Sequence, residues 1–240
     1  MFAVLSDIHG NMFAFEKVLE DMELFDIEGV ILLGDLIDYG MQSNEIVDYI
    51  RCKFKYRIIC NIWGNHERAI VIEDFTGFSS ERGSDCARYT ASVLTDNTKD
   101  YLNTEMNKDG VQEFEMFGKR CLAVHGSLND HYWKPIFPED EHGDYSIFDL
   151  VFSGHSHYSH VFTKFYDVDN PTKRNKHAVT FINPGSVGQP RNHNPAAQYA
   201  LIDDSLNIYL RSVTYEVDKA MELYDGKVDI FYKERLKKGI

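Results

Sequence analysis

The chain has 240 residues, 43% of them hydrophobic, which is enough to bury a substantial core. Its 25 Lys and Arg face 38 Asp and Glu, a formal charge of −13. That balance argues against a broadly basic nucleic-acid-binding face, and no apolar run approaches the length of a membrane span.

Phe2 to Leu5 is a short apolar run ending at Ser6-Asp7-Ile8-His9. It reads as a strand buried on both faces, without the basic flank or cleavage pattern of a leader. Asn11 to Met22 follows, with Phe13, Val18, Leu19 and Met22 near helical spacing. Val30 to Leu33 runs into Gly34-Asp35, and Ser43 to Cys52 carries Ile46, Val47 and Ile50 on one helical side. Arg57 to Cys60 leads toward Gly64-Asn65-His66-Glu67. Strand, helix, strand, helix, strand predicts an α/β fold with parallel pairing and right-handed crossovers. The span 67–118 reads as a helical insertion bordering the cleft, helical over Arg82 to Leu94 and polar over Asp96 to Met106. Cys121 to Val124 then precedes His125-Gly126, and residues 129–149, with Trp133, Pro135 and Pro138, read as a long loop. Leu150 to Phe152 precedes Ser153-Gly154-His155-Ser156-His157. From Tyr158 to Phe181 two strand-like runs flank a turn expected at 167–171. Gln198 to Ile202 and Asn207 to Val213 predict a second hairpin. Together the two hairpins predict a second sheet packed on the first. Val228 to Lys238 reads as a helix docked on the body or an association surface, and residues 1–240 as one domain.

Five of these runs end in residues that divalent transition metals accept as ligands: Asp, Asn and neutral His. An open α/β sheet places its chemistry beyond the carboxyl ends of its strands. Asp7 and His9 are two residues apart, as are His155 and His157, so extended backbone would point each pair the same way. Asp35 follows a glycine that permits close backbone approach. One carboxylate can bridge two cations, and two cations about 3.5–4 Å apart form a recurring phosphoryl-transfer device.

The ordered set Asp-x-His, Gly-Asp-x-x-Asp, Gly-Asn-His-Glu, His-Gly and Gly-His-x-His resembles the calcineurin-like metallophosphoesterases, from Met1 to about Arg191. The run Asn183-Pro-Gly-Ser-Val-Gly-Gln-Pro-Arg191 is similar to the small, uncapped prokaryotic or viral phosphodiesterase-like subgroup. The resemblance implies a four-layer α/β/β/α fold, a two-sheet β-sandwich flanked by helices. It implies two divalent ions (manganese, iron, nickel or zinc, with manganese foremost) and attack on phosphorus by a hydroxide bridging them. Asp7, His9 and His157 would bind the first ion; Asn65, His125 and His155 the second; Asp35 would bridge. His66 would contact phosphate or protonate the leaving oxygen, with Asp38 orienting it. Many phosphatases of the superfamily carry Arg where this chain has Tyr39, which argues against a protein phosphatase.

Arg68, Arg191 and Tyr39 are further candidates for substrate contact, and Tyr39, Trp63 and Trp133 for an aromatic slot that a nucleotide would need. His131, His142, His160, His177 and His193 read as surface or hydrogen-bonded residues. Cys52, Cys60, Cys86 and Cys121 form no C-x-x-C and read as buried, reduced thiols of a cytoplasmic protein. The expected substrate is a small phosphate ester or nucleotide. The leading reading is a phosphodiesterase or broad phosphatase; a dinucleoside polyphosphate hydrolase, a protein phosphatase-like enzyme and a metal-holding interaction scaffold are the competing ones.

Overall fold

A computed structural model describes residues 1–168 and 176–240. The order is β1 (Phe2–Leu5), α1 (Met12–Met22), β2 (Gly29–Leu32), α2 (Ser43–Cys52), β3 (Ile58–Asn61), α3 (Asn65–Ile72), α4 (Glu81–Val93), α5 (Asp96–Thr104), β4 (Val111–Met116), β5 (Lys119–Val124), β6 (Leu150–Ser153), β7 (His160–Asp167), β8 (Lys176–Asn183), β9 (Ala197–Ile202), β10 (Ile208–Val213), α6 (Val217–Glu222) and α7 (Ile230–Lys238). Two five-stranded sheets result, ordered β10-β9-β1-β2-β3 and β4-β5-β6-β8-β7. They form the expected two-sheet sandwich with flanking helices.

The period-2 alternation of strand side chains assigns each residue to a layer. Ala3, Leu5, Val30 and Leu32 face the cluster that α1, α2 and α5 close with Phe15, Val18, Ile46, Ile50 and Leu102. Val4 and Ile31 turn the other way and meet Cys121, Ala123, Leu150 and Phe152 of the second sheet. The first three strands are parallel, as predicted. The outer face of the second sheet, with Leu122, Val124, Val151 and Phe181, is covered by Ile136, Tyr145 and Phe148 of the long loop. Within 67–118 lie most of α3, then α4 and α5, and also β4, an edge strand pairing antiparallel with β5. Of the turn expected at 167–171, the part from Asp169 on lies outside the described residues.

The second predicted hairpin is the clearest correction. β9 and β10 do pair, but β9 then adds antiparallel to β1 and extends the first sheet, not the second. A tether fixes this edge: Asp21 of α1 accepts from Arg211 Nη2 at 2.8 Å, Arg211 Nε at 3.0 Å and Tyr199 Oη at 2.6 Å. Burial pushes the Asp21 carboxyl up, but the guanidinium and the phenol outweigh it and hold it below the usual carboxylate range. A carboxyl depressed by folding stabilises above its unfolded value. The contribution starts to fade near that value, about 3.9, and is gone once pH falls through the folded one. Asp21→Asn should therefore cost about 1–2 kcal/mol at neutral pH, discounted for the partly exposed Arg211. Denaturant midpoints of mutant and wild type should converge in acid.

α7 is docked, with Tyr232, Arg235 and Leu236 buried. Cys60, Cys86 and Cys121 are buried free thiols as expected, whereas Cys52, last residue of α2, is exposed. No helix of the described residues is long and apolar enough to cross a membrane.

Candidate metal centre

The loops after β1 and β2 run side by side beyond the strand ends. Asp7 N–H donates to Gly34 O at 3.1 Å, His9 N–H to Asp35 O at 2.9 Å and Gly10 N–H to Leu36 O at 2.9 Å. This continued ladder brings Asp7 and His9 up against Asp35. The backbone is not extended there. Asp7, His9, Asp35, Asp38, Tyr39, His155 and His157 all have φ between 47° and 72°, seven of the twelve non-glycine residues with positive φ among those described. A left-handed non-glycine residue costs about 1 kcal/mol or more. The aim of Asp7, His9, His155 and His157 thus comes from left-handed turns and not from strand geometry. Such strain, concentrated at one place, persists only where the surroundings over-determine it. Gly34 and Gly64 are part of that determination: a Cβ on either would collide with the facing loop, Gly64 against the Asp35 carboxylate itself.

Three groups of buried ligand atoms converge: Asp7, His9 and His157; His9, Asp35 and His66; Asp35, His125 and His155. The hydrogen bonds fix which imidazole nitrogens are free. His9 Nδ1 donates to Ile37 O at 3.2 Å and His157 Nδ1 to Gln189 O at 2.6 Å. In the neutral tautomer both Nε2 atoms then carry lone pairs, yet they face each other at 3.2 Å. Asp7 Oδ1 lies 3.1 Å from His157 Nε2 and is a buried oxygen without a hydrogen-bond donor. Its Oδ2 is occupied by Ser6 Oγ at 2.5 Å and the His155 N–H at 3.2 Å. Three lone pairs therefore point at one place with no proton between them, a donor set that suits a cation.

On the other side, His125 Nδ1 donates to Leu33 O at 2.7 Å and its Nε2 faces Asn65 Oδ1 at 3.1 Å and Asp35 Oδ2 at 3.3 Å. His155 is turned around: its Nε2 donates to Trp133 O at 3.2 Å, leaving Nδ1 toward Asn65 Oδ1 at 2.9 Å. Asp35 Oδ2 also lies 3.7 Å from His9 Nε2 and 3.9 Å from His66 Nε2, so it is the one atom shared by both sides. Burial holds His9, His155 (to about 4) and His157 below the usual histidine range, which keeps them neutral and available as ligands. Burial also opposes a proton on His125, but the Asp35 carboxylate overrides it and raises His125 to about 9. The charge that retains that proton is the charge that would hold a divalent cation in its place. His66 is lifted in the same way by Asp35 and Asp38 against its burial.

His66 Nδ1 meets Asp38 Oδ2 at 2.6 Å, and Asp38 Oδ1 accepts from Thr90 Oγ1 at 2.6 Å. Thr90, on α4, carries no local signal of this role. Nor does Glu67. Its carboxylate accepts from the N–H groups of Gly64 and Asp35 (2.8 Å each), Leu36 (2.7 Å) and Ile37 (3.3 Å), stitching the Asp35 loop to the start of α3. The run from Asn183 to Arg191 braces the centre from the opposite side. Asn183 Nδ2 donates to Gly154 O at 2.8 Å, Ser186 Oγ to Asp7 O at 2.7 Å, and Gly188 N–H also to Asp7 O at 3.0 Å.

A cleft of about 300 Å³ opens over the cluster, lined by Asp35, Asn65, His66, His155 and His157 together with Tyr39, Gly77, Phe78, Ser79, Trp133 and Arg191. Arg191 and Tyr39 reach it. Arg68 does not: its guanidinium stacks over Tyr132 at 5.3 Å, in a separate hollow beside Leu128 and Asn129. Trp63 is buried in the core and donates to Leu102 O at 2.7 Å. The five other histidines join none of the ligand groups. Sequence reasoning missed α7 as a supporting element. Tyr232 stacks on Tyr39 at 4.6 Å, and the Arg235 guanidinium lies 5.9 Å from the Tyr39 ring.

The calcineurin-like phosphoesterase superfamily domain matches residues 1–205. An uncharacterized protein of Methanocaldococcus jannaschii is 28% identical over 228 residues, covering 92% of this chain and 90% of its own length. Among solved structures, a hypothetical protein of Pyrococcus horikoshii OT3 superposes with a TM-score of 0.79 at 19% identity, covering 100% of this chain and 99% of the other. A metallophosphoesterase from Sphaerobacter thermophilus superposes with a TM-score of 0.75 at 22% identity, covering 100% and 98%. These two share the fold. With its ordered motifs and the matched domain spanning most of its length, the chain belongs to the calcineurin-like phosphoesterase superfamily.

Proposed function

We propose that the protein is a dinuclear metal-dependent hydrolase of small phosphate esters, with Asp7, His9 and His157 holding one cation, Asn65, His125 and His155 the other, and Asp35 shared. The observation that carries this is the meeting of His9 Nε2, His157 Nε2 and the partnerless Asp7 Oδ1. A pair of divalent cations, manganese foremost, would acidify a water and draw charge from the phosphate oxygens. The chain supplies the rest. Arg191 faces the cleft and orients a phosphate through its planar fork. His66, fixed at Nδ1 by Asp38, presents Nε2 to the cleft and returns a proton to the departing oxygen. Thr90 holds Asp38 so that the imidazole cannot turn. Tyr39, packed on His9 at 4.6 Å and His66 at 4.4 Å, excludes water from that side.

Esters with one accessible phosphate suit this cleft, mono- or diester. An interaction scaffold would not need the Thr90–Asp38–His66 relay. Chelation should abolish hydrolysis of p-nitrophenyl phosphate and of its diester, manganese should restore it, and elemental analysis should give about two ions per chain. Turnover indifferent to chelator would refute the reading.

A further inference from the structure

Beyond the ligand cluster the cleft is walled, among the described residues, by three aromatic rings, Tyr39, Phe78 and Trp133, and one guanidinium, Arg191, with no further carboxylate and no lysine. Phe78 makes an edge contact with His66 at 5.0 Å and with Trp133 at 5.2 Å, and Trp133 makes one with His155 at 6.3 Å. The two rings thus span the gap between His66 and His155 as one continuous wall. They lie on the side where His66 meets the leaving oxygen.

Trp133 is half-buried and packs in none of the hydrophobic clusters. It is nevertheless held in place. Its carbonyl accepts from His155, and its N–H donates to Asp130 Oδ1 at 3.0 Å. Gly77 lies against the indole, where any Cβ would collide with the ring. A large ring packed against Gly77, Phe78 and His155 without serving a core has a free surface that water covers poorly.

Resting on the phosphoesterase reading, we infer that the cleft selects phosphate esters whose leaving group is flat and aromatic, an aryl or nucleobase ring laid against Phe78 and Trp133, with one phosphate at the cations and Arg191. A chain of phosphates does not fit this wall, because a second phosphate would meet rings in place of cations.

The test uses manganese-loaded full-length protein and compares benzylphosphonate with methylphosphonate by calorimetry. Neither can be hydrolysed, so turnover is not involved. The benzyl compound should bind about tenfold tighter or more, in line with base–aromatic stacking. Trp133→Ala should bring the ratio near one and Trp133→Phe should restore it, with Phe78→Leu as a second variant should the first fold poorly. Initial rates at low concentration for AMP and phosphotyrosine, each set against glycerol 3-phosphate, separate a nucleobase from a simple aryl ring, and a higher kcat/KM for either supports the inference. Equal affinities for the two phosphonates, or a preference that survives both Trp133→Ala and Phe78→Leu, overturns it while leaving the phosphoesterase reading intact. Failure of both phosphonates to bind, together with no ester hydrolysis, overturns both.

Discussion

Asp35→Asn should lower the turnover of p-nitrophenyl phosphate by several hundred-fold or more, about 4 kcal/mol in the barrier, while far-UV dichroism stays that of the wild type. Asp35 Oδ2 lies within reach of both halves of the centre, 3.3 Å from His125 and 3.7 Å from His9. Its Oδ1 is engaged by the His66 N–H at 2.9 Å. Asparagine keeps the size and can keep that bond, so the loop should hold its course. What it loses is the one negative charge between the two imidazole sets. With its oxygen on the His66 N–H, the amide turns an NH2 group, which is no ligand, to where Oδ2 stood. Metal content should therefore fall from about two ions per chain toward one. Turnover at the wild-type rate, or unchanged metal content, would contradict the assignment.

The residues proposed as ligands could be picked out of the sequence because each follows a strand, where an apolar run gives way to polar residues. β2 and β6 bury both faces throughout, which removes ambiguity about where they stop, whereas β3 is only partly buried. Two kinds of feature were not legible. The first is which sheet a hairpin joins. The pattern of β9 and β10 specifies a hairpin, but the edge it adds to is set by contacts far away, such as Asp21 with Arg211. The second is which of two locally similar residues reaches the cleft. Arg68 and Arg191 both adjoin turns, yet one stacks on Tyr132 and the other lines the site. Trp63 and Trp133 divide in the same way between core and cleft. The supporting partners were equally silent: Thr90 lies 52 positions from Asp38, and Gln189 reaches His157 through a backbone carbonyl that any residue would supply. The i, i+2 spacing puts Asp7 and His9 in one ligand group but His155 and His157 in different ones, and left-handed turns, not extended strands, aim all four.

Glu67→Ala should be the most destabilising single substitution in the site, by about 3–5 kcal/mol, a large part of the stability of an ordinary domain. Glu67 is completely buried and forms no ion pair. Burial and the neighbouring Asp35 raise its carboxyl to about 7, against the backbone N–H groups of Gly64 and Asp35 and the nearby His125. Four such donors, on Gly64, Asp35, Leu36 and Ile37, end on this one carboxylate. Truncation strands them in the dry interior, and each buried unpaired donor costs about 1–3 kcal/mol before relaxation. The damage also passes to chemistry, because the same bonds hold the left-handed turn on which Asp35, Asp38 and Tyr39 depend. Glu67→Gln is the informative companion. It keeps one carbonyl oxygen but turns an amide toward two of the donors, so its loss should lie between wild type and Ala. Denaturant unfolding of the three proteins, with and without manganese, measures both effects. If the ladder of stabilities is absent, Glu67 is not what holds the Asp35 turn, and the strain there must be balanced by the Asn183–Arg191 brace alone.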